Sequence, residues 1–476
     1  MAHRRSSRVV GKAHGRAWAQ PRVAVGLALA AAAVAGPRGA QAAGFSVARF
    51  GGEHGNPMTD NPTALYYNPA GIGFSEGTHA FVDVSLAWRS ATYTRPASDT
   101  AEPAGAEGAN SGRGTLTNFL AAPMIGVSHS FGLVAVGAGF FTPFGGQAKW
   151  SQRTQYEANE YAGPVDGPQR WYTIDGDLRA SYVGAGVAIR PVPMFSLGVT
   201  GNLVLGKVET IRARVVDGSD SIEDEGRSWL DVSGTHFSFG VGALVEPELG
   251  EGPEAPRLRI GASYQSQPAI ENGGEMRLQG TLNNNFGGAV SRSDVDFVQQ
   301  LPDVVRAGVA YRPGGQRFEL RVFGDYQRWS VMKAQCVVQP GAPCDRDPDV
   351  NKDTYIQNQY RDWHDTFGAR VGLSWFRSDV TELFVGIGYA SNAVPDETLE
   401  PALMDFHSGT IGFGARIRAA SWVHLSPSYT QVLYLGRDTT TSRHDEYLGG
   451  KWKSPDSSGE YRQTVGVLNV NADFAF

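Results

Sequence analysis

Apolar and polar side chains alternate with a period of two along most of this chain, and no other feature restricts its fold as strongly. In residues 460–476, Leu468 and Val470 fall on one face of an extended segment, while Asn469 and Asn471 fall on the other. Successive side chains of a β-strand point to opposite sides, so this alternation is typical of strands with one apolar face. The same pattern recurs in residues 236–246, 303–312, 366–376 and 410–418.

Fourteen segments, an even number, show this strand pattern. A strand needs about 9–11 residues to cross the hydrocarbon core of a membrane, and each segment supplies that length. The predicted strands are residues 79–94, 118–131, 133–143, 177–190, 194–214, 229–246, 257–271, 301–313, 317–333, 361–377, 381–391, 406–418, 422–435 and 460–476.

The connections between these strands alternate between tight and long. Short turns at one end and long loops at the other are typical of outer-membrane barrels. A soluble sandwich also alternates, but here the polar face carries both glycine and charge, as a barrel lumen does. Tight turns are predicted at 132, 191–193, 314–316, 378–380 and 419–421, a moderate link at 246–257, and long polar links at 95–117, 144–176, 215–228, 272–300, 334–360, 392–405 and 436–459.

The membrane itself requires such a sheet to close. Hydrocarbon offers no hydrogen bonds, so an unpaired strand edge is costly there, and a closed barrel has no edge. The sequence therefore predicts an all-β fold, a fourteen-stranded antiparallel transmembrane β-barrel.

Composition and motifs exclude several other classes. The formal net charge of −6 argues against a nucleic-acid-binding protein. After about residue 40 no run of roughly 18 apolar residues occurs, which argues against membrane-spanning helices. The sequence contains no GxSxG, HExxH or GxxxxGK[ST] motif, so we expect no enzyme and no cofactor.

The N-terminus reads as an export signal. Residues 1–22 are basic without an acidic residue, residues 23–35 are almost wholly apolar, and Ala40 and Ala42 provide the small-x-small pattern of a cleavage site. We predict that residues 1–42 are a cleaved signal peptide; the alternative is a retained N-terminal anchor.

The segment before the first strand does not alternate. In residues 43–78, Asn56, Asn61 and Asn68 are each followed by proline, a combination that favours turns. Such a compact segment ahead of a barrel is either a plug inside the lumen or a periplasmic tail, and composition alone supports both equally.

Several short motifs lie in order along the chain. They are Ala43-Gly44-Phe45, Asn68-Pro69-Ala70-Gly71, residues 139–145 followed by Trp150, residues 301–311 and 325–330, and residues 386–401. Each motif is weak alone, but together they extend over the predicted mature chain and resemble the FadL/OmpP1/TodX family of outer-membrane transporters for hydrophobic compounds, with Asn68-Pro69-Ala70-Gly71 as the hatch motif. One departure is the 401–405 segment, where the family commonly has a second proline near Met404.

This resemblance implies a hatch in residues 43–78 that plugs a barrel of residues 79–476 in the bacterial outer membrane. It implies passive uptake of hydrophobic molecules, first of all long-chain fatty acids, with lateral release through the wall at a kinked third strand. The alternatives are an importer of aromatic hydrocarbons or a general porin or structural barrel. The expected partners are a hydrophobic small molecule, membrane lipid and lipopolysaccharide, and the barrel-assembly machinery; nucleic acid is not expected, and we expect a monomer.

Several residues are candidates for this pathway. Phe45 would line a lumen pocket or pack the hatch, and Gly137 and Gly139 would permit the strand kink or reflect ordinary barrel glycine. Phe144 and Trp150 would form an outer apolar groove or an interfacial girdle. Lumen arginines would meet a substrate carboxylate, or pair with acids such as Glu319 and Asp325; these are Arg306, Arg321, Arg370 and Arg416.

The two cysteines, Cys336 and Cys344, fall in one long predicted loop of an exported chain, and we predict a disulfide between them. Acidic and amide residues alternate just after it, in residues 345–353. Such oxygen ligands can suit Ca²⁺, but the glycine and the final glutamate of a calcium loop are missing. A solvated acidic loop is therefore the prediction, and no metal site is assigned.

Overall fold

A computed structural model describes residues 49–98, 100–252, 254–286, 288–345, 355–441 and 455–476. The predictions for the signal peptide in residues 1–42 and for Phe45 lie outside these residues. None of the helices in this part of the chain has the length and hydropathy that a bilayer-spanning helix needs.

In the described residues the strands form one antiparallel sheet. Where a strand is interrupted, its two successive segments are counted as one, which gives fourteen barrel strands. The strands are β1 (Thr78–Arg95), β2 (Gly112–Ser130), β3 (Val134–Gln147), β4 (Asp175–Val192), β5 (Phe195–Arg214), β6 (Gly226–Val245), β7 (Arg257–Gln265 and Glu275–Phe286), β8 (Ala289–Gln300 and Val304–Arg312), β9 (Phe318–Gln327 and Ala334–Val338), β10 (Tyr355–Tyr360 and Thr366–Ser378), β11 (Thr381–Ala390), β12 (Ser408–Ala420), β13 (Val423–Tyr434, extended by Arg437–Asp438) and β14 (Glu460–Ala475).

The first and last strands close the sheet. β1 pairs with β2 along its whole length, and on its other side it pairs with β14 from His79↔Ala475 to Thr94↔Glu460. Closure satisfies the backbone groups that an open edge would leave unpaired in hydrocarbon. The predicted fourteen-stranded antiparallel barrel is confirmed.

The burial pattern is the reverse of a soluble protein's. On β14, Asn469 is fully buried, while the neighbouring Val470 is 47% exposed. On β1 the inward Asp83 and Arg89 are buried, and apolar side chains such as Phe119 of β2 lie on the outer surface. Apolar side chains outside and polar side chains inside suit a barrel wall surrounded by lipid.

The short turns gather at one end of the barrel and the long loops at the other. By the rule for outer-membrane barrels, the short-turn end faces the periplasm. The predicted long loop at 272–300 is wrong, because β7 and β8 continue through it as a tight hairpin. In the part of β7 and β8 above the lipid, the apolar and polar faces are exchanged. Met276, Leu282 and Phe297 are buried on the inner face, while Gln279 faces outward. The segment therefore looks like a polar loop in the sequence.

The segment preceding β1 is compact and buried. It contains a 3₁₀ turn at Gly52–His54, helix α1 at Ala64–Tyr67 and a 3₁₀ helix at Pro69–Phe74. We refer to residues 49–77 as the hatch. Further 3₁₀ turns lie in connections, at Thr154–Tyr156, Gly163–Asp166, Pro168–Trp171, Ile270–Asn272, Trp329–Val331 and Asp396–Thr398.

Inward glycines on many strands make room for the hatch. A Cβ atom on Gly198 of β5 would lie 2.3 Å from the carbonyl carbon of Pro69, and one on Gly261 of β7 would lie 2.1 Å from the carbonyl oxygen of Pro57. Gly126, Gly242 and Gly308 on other strands face hatch atoms in the same way. The glycine-rich inner face is thus the surface that holds the plug.

The Gly198→Ala variant should therefore loosen the hatch, because the new methyl group meets backbone that cannot yield easily. Overpacking of this kind costs roughly 1–3 kcal/mol. We expect lower stability in denaturant unfolding from lipid vesicles and a higher ion conductance in planar bilayers. Gly201→Ala on the same strand is the matched control, since no atom lies within 4 Å of its Cβ position; equal behaviour of the two variants would contradict this packing.

Candidate functional site

The hatch motif ties the plug to the barrel wall through Asn68. Its side-chain oxygen accepts a hydrogen bond from the backbone N–H of Ala70 (3.2 Å) and so begins the 3₁₀ helix. Its side-chain amide donates to the carbonyls of Pro57 (2.8 Å) and of Ala243 on β6 (2.9 Å). One fully buried amide therefore joins two hatch turns to the wall, and alanine could make none of these bonds.

A chamber of about 1300 Å³, its opening included, lies on the outer side of the hatch. We call it the hatch-side chamber. Its lining includes the predicted Arg306 and Arg370. It also includes Arg49 of the hatch, which the sequence reasoning missed because Arg49 follows no strand pattern. The structure thus brings two of the four predicted arginines together.

Positive charge exceeds negative charge at the floor of this chamber. Arg306 stacks on Tyr66 (4.4 Å from the ring centre), and Asp325 lies opposite it in the β8–β9 register. In the described residues Arg370 has a cation–π contact with Phe323 (5.9 Å) and no ion pair with a carboxylate. An anionic group entering this chamber would find Arg370 available.

Arg49 has only a weak acidic partner. Its Nη1 lies 3.6 Å from Glu53, and its buried Nε has no hydrogen-bond partner. Burial, together with the positive charge of Arg370, lowers the pKa of Arg49 to about 10. Arg49 nevertheless stays protonated at neutral pH and adds a second cation to the chamber.

Aromatic and thioether side chains cover the hatch-side chamber towards the loops. Trp329 and Trp363 lie 5.0 Å apart between ring centres, and Met404 and Phe406 of the β11–β12 loop complete the cover. All four side chains are buried. The chamber therefore combines a cationic floor with an apolar roof, an arrangement that suits an amphiphile.

A second chamber, of about 940 Å³ with its opening, lies beneath the long loops, and we call it the loop-side chamber. Its walls are largely apolar, because the inverted alternation turns Leu282 and Phe297 inward. Three buried arginines also line it, Arg89, Arg212 and Arg361. No sequence pattern predicted this chamber.

The barrel wall is interrupted beside the loop-side chamber. β2 and β3 pair only from Ile125↔Phe140 to Ser130↔Ala135. The backbone of residues 117–124 of β2 pairs with β1 alone, until an isolated bridge, Leu116↔Trp150, rejoins β2 and β3 above them. We call this unpaired stretch the window. It lies within the apolar outer belt of the wall.

A bulge in β3 produces the window. Phe141 pairs with Tyr182 and Phe144 with Ala180, so Thr142 and Pro143 together stand opposite one residue of β4. Proline has no N–H to donate, so Pro143 leaves no backbone donor unsatisfied beside the gap.

The predicted kink at Gly137 and Gly139 is therefore wrong in position, since both residues pair regularly with β2 and β4. These glycines instead receive Leu65 of the hatch, whose methyl carbons would lie 3.2 and 3.3 Å from their Cβ positions.

Arg321 and Arg416 do not belong to either chamber. They lie on the periplasmic side of the hatch and already have partners: Arg321 bonds to Glu319 (2.9 Å) and Arg416 to Asp473 (3.1 Å). Both line a separate cavity there and pair with lumen acids, which is the alternative weighed for them, and a contact with substrate stays a prediction.

Phe144 and Trp150 form neither an open groove nor an interfacial girdle, because both are buried. Phe144 packs edge-on against Trp329, with 6.1 Å between ring centres. Trp150 closes the top of the window through its bridge to Leu116. Their role is to support the chamber walls from behind.

The predicted disulfide between Cys336 and Cys344 is present, with 5.6 Å between the Cα atoms. Most of the alternating acidic segment at 345–353 lies outside the described residues. Within the described part of the chain, no cluster of three or more histidine, cysteine, aspartate or glutamate residues is placed to hold a metal ion.

A model of the family described as outer membrane protein transport protein (OMPP1/FadL/TodX) matches residues 26–430. The chain belongs to this family. Members are outer-membrane β-barrels of the type that transports hydrophobic compounds, and this chain is therefore an outer-membrane protein. No curated protein sequence matches it.

Solved structures share the fold at low sequence identity. A Pseudomonas aeruginosa FadL homologue has a TM-score of 0.71 at 14% identity, over 91% of this chain and 100% of that one. The Ralstonia pickettii toluene transporter TbuX has a TM-score of 0.58 at 15% identity, over 91% and 98% of the chains. The P. putida toluene transporter TodX has a TM-score of 0.59 at 14% identity, over 92% and 99%.

Deleting Pro143 should close the window. The deletion leaves a single residue opposite Ser181, so β3 can pair with β4 without a bulge and with β2 along the former gap. We expect normal surface levels but loss of most uptake of a hydrophobic substrate, measured with labelled toluene and oleate in cells. Deleting Pro191, at the register shift of the tight β4–β5 turn, is the control; unchanged uptake after Pro143 deletion would refute lateral passage.

Proposed function

We propose that this protein takes up long-chain fatty acids passively across the outer membrane. The substrate enters beneath the long loops, occupies the two lumen chambers, and leaves sideways through the window into the hydrocarbon core. The resident hatch blocks the straight path to the periplasm. No cofactor or energy source takes part in this route, since the molecule moves down its gradient.

The window is the single observation that carries this proposal. It is a gap between β2 and β3 within the apolar outer belt, and it lies beside a chamber whose walls are largely apolar. Gly146 and Gln147 of β3 lie both at the window and in the lining of the loop-side chamber. A general porin would need an open polar channel instead, and the hatch occupies that position.

Charge favours a fatty acid over an uncharged hydrocarbon. Arg49 and Arg370 offer the hatch-side chamber two cations without a strong acidic partner, and a carboxylate can pair with them. The chain of the acid would lie against the aromatic roof. Toluene carries no charge to pair with these arginines and offers them only the face of its ring.

Uptake of aromatic hydrocarbons is the second candidate. Two of the similar solved structures are toluene transporters, and the loop-side chamber has a largely apolar wall. A small aromatic molecule would fit there without using the floor arginines.

Cells lacking their own transporter, with and without this protein, distinguish the candidates. Protein-dependent uptake of labelled oleate supports the fatty-acid proposal. Uptake of toluene without oleate moves the function to hydrocarbon import. If neither enters faster and the intact protein conducts ions steadily in planar bilayers, the porin alternative is correct.

The Arg370→Gln variant should weaken oleate binding about tenfold or more, because a hydrogen bond to a charged group contributes roughly 1.5–3 kcal/mol. Toluene uptake should not change. Binding to purified protein in detergent, followed by tryptophan fluorescence, measures the effect. Arg416→Gln is the control, because Arg416 lies beyond the hatch. Equal losses in both variants would show that the floor arginines do not bind the carboxylate.

A further inference from the structure

One loop segment separates the two chambers. The β11–β12 loop dips into the lumen as a tight turn in which Leu403 donates its backbone N–H to the carbonyl of Glu400 (3.1 Å). Glu400 and Ala402 line the loop-side chamber, Met404 and Phe406 line the hatch-side chamber, and Leu403 lines both. We call residues 399–406 the partition. The partition therefore forms the wall that the two chambers share.

A buried ion pair holds the partition to the wall. Glu400 Oε1 accepts a hydrogen bond from Arg361 Nη2 (2.8 Å), and both side chains are 1% exposed. Thr398 donates to the carbonyl of Arg361 (2.8 Å), just before the partition begins. A buried pair is weakly stabilising overall, but breaking it leaves an uncompensated buried charge. Loss of this pair would therefore destabilise the closed position strongly.

The loop-side chamber has more buried positive charge than its one buried acid can balance. Arg89, Arg212 and Arg361 line it, and Glu400 is the only fully buried carboxylate among its described lining residues. Arg361 Nη1 and Arg212 Nη2 have no hydrogen-bond partner although they are buried. Buried unpaired donors are costly, and an anionic group arriving in the chamber would satisfy them.

Glu400 and an incoming anion would therefore compete for the same guanidinium. A ligand carboxylate would find Arg361 Nη1 and Arg212 Nη2 without hydrogen-bond partners, whereas Glu400 bonds only to Arg361 Nη2. Once Arg361 has this second partner, Glu400 is no longer needed there to neutralise it.

We propose that the partition is a ligand-operated gate in which Glu400 occupies the place of a ligand carboxylate on Arg361. An anionic amphiphile displaces Glu400, the turn at residues 400–403 withdraws, and the chambers join. An uncharged amphiphile of the same length does not release the gate. This inference rests on the proposed uptake of fatty acids, and it makes Glu400 and Arg361 residues that determine specificity.

Reactivity of a buried cysteine tests the gate in the full-length protein. Met404 is 1% exposed at the partition, so the thiol of Met404→Cys should react slowly with a small water-soluble thiosulfonate. The native cysteines are joined in a disulfide and do not react. Saturating oleate should speed the reaction at least tenfold, and oleyl alcohol should not.

Two further substitutions in the Met404→Cys background separate release of the ion pair from general loosening. Glu400→Gln should make the thiol react fast without ligand. Asp396→Asn removes an exposed carboxylate of the β11–β12 loop that pairs with Arg437 at the extension of β13, and the rate should stay slow. Equal acceleration by both substitutions would overturn the proposal, because it would show that any lost charge loosens the loop.

The ligand results distinguish this inference from the function on which it rests. Oleate uptake without faster thiol modification would refute the gate and leave the proposed function intact. Equal acceleration by oleate and oleyl alcohol would refute the role of the carboxylate in the gate. Absence of both oleate binding and oleate uptake would overturn the gate and the fatty-acid proposal together.

Discussion

The structure depends on one constraint, that every backbone N–H and C=O in hydrocarbon needs a partner within the protein. Pairing of β1 with β14 meets it by closing the sheet. The window is the one place in the described wall at membrane level where β2 and β3 separate, and the chain compensates locally. Pro123 and Pro143 lie in the unpaired stretches and have no N–H to leave unsatisfied, and Asn118 donates its side-chain amide to the carbonyl of Gln147 (2.9 Å).

Closure also determines what can fill the lumen. Because the outer face meets lipid, the inner face is free to carry polar groups and glycine, and glycines such as Gly198 and Gly261 let the hatch approach the wall backbone. Above the lipid the outer face meets water, so the alternation inverts and Leu282 and Phe297 turn inward. A chamber with largely apolar walls and three buried arginines thus lies above a polar, plugged lumen, and the window lies beside that chamber.

Most of the fold was predictable because a period of two is a local property. All fourteen strands and the tight turns follow from the alternation and from turn residues. The hairpin at 275–300 was missed, since the same alternation with its faces exchanged looks polar. Among site residues, Arg306 and Arg370 were identified from their inward positions, but Arg321 and Arg416 have the same pattern and differ only in lying beyond the hatch. Arg49 lies in the hatch and belongs to no strand pattern that could have identified it.

The sequence by itself determined the closed barrel, its membrane and its family, because each depends on side-chain order along one strand or on motifs read in order. Tertiary structure alone decided where the two chambers and the window lie. The bulge at Thr142 and Pro143, the burial of Phe144 and Trp150, and the pairing of Glu400 with Arg361 all arise between segments far apart in the chain. Local periodicity carries no information about such contacts, since they depend on how the hatch and loops fill a space that exists only after the barrel has closed.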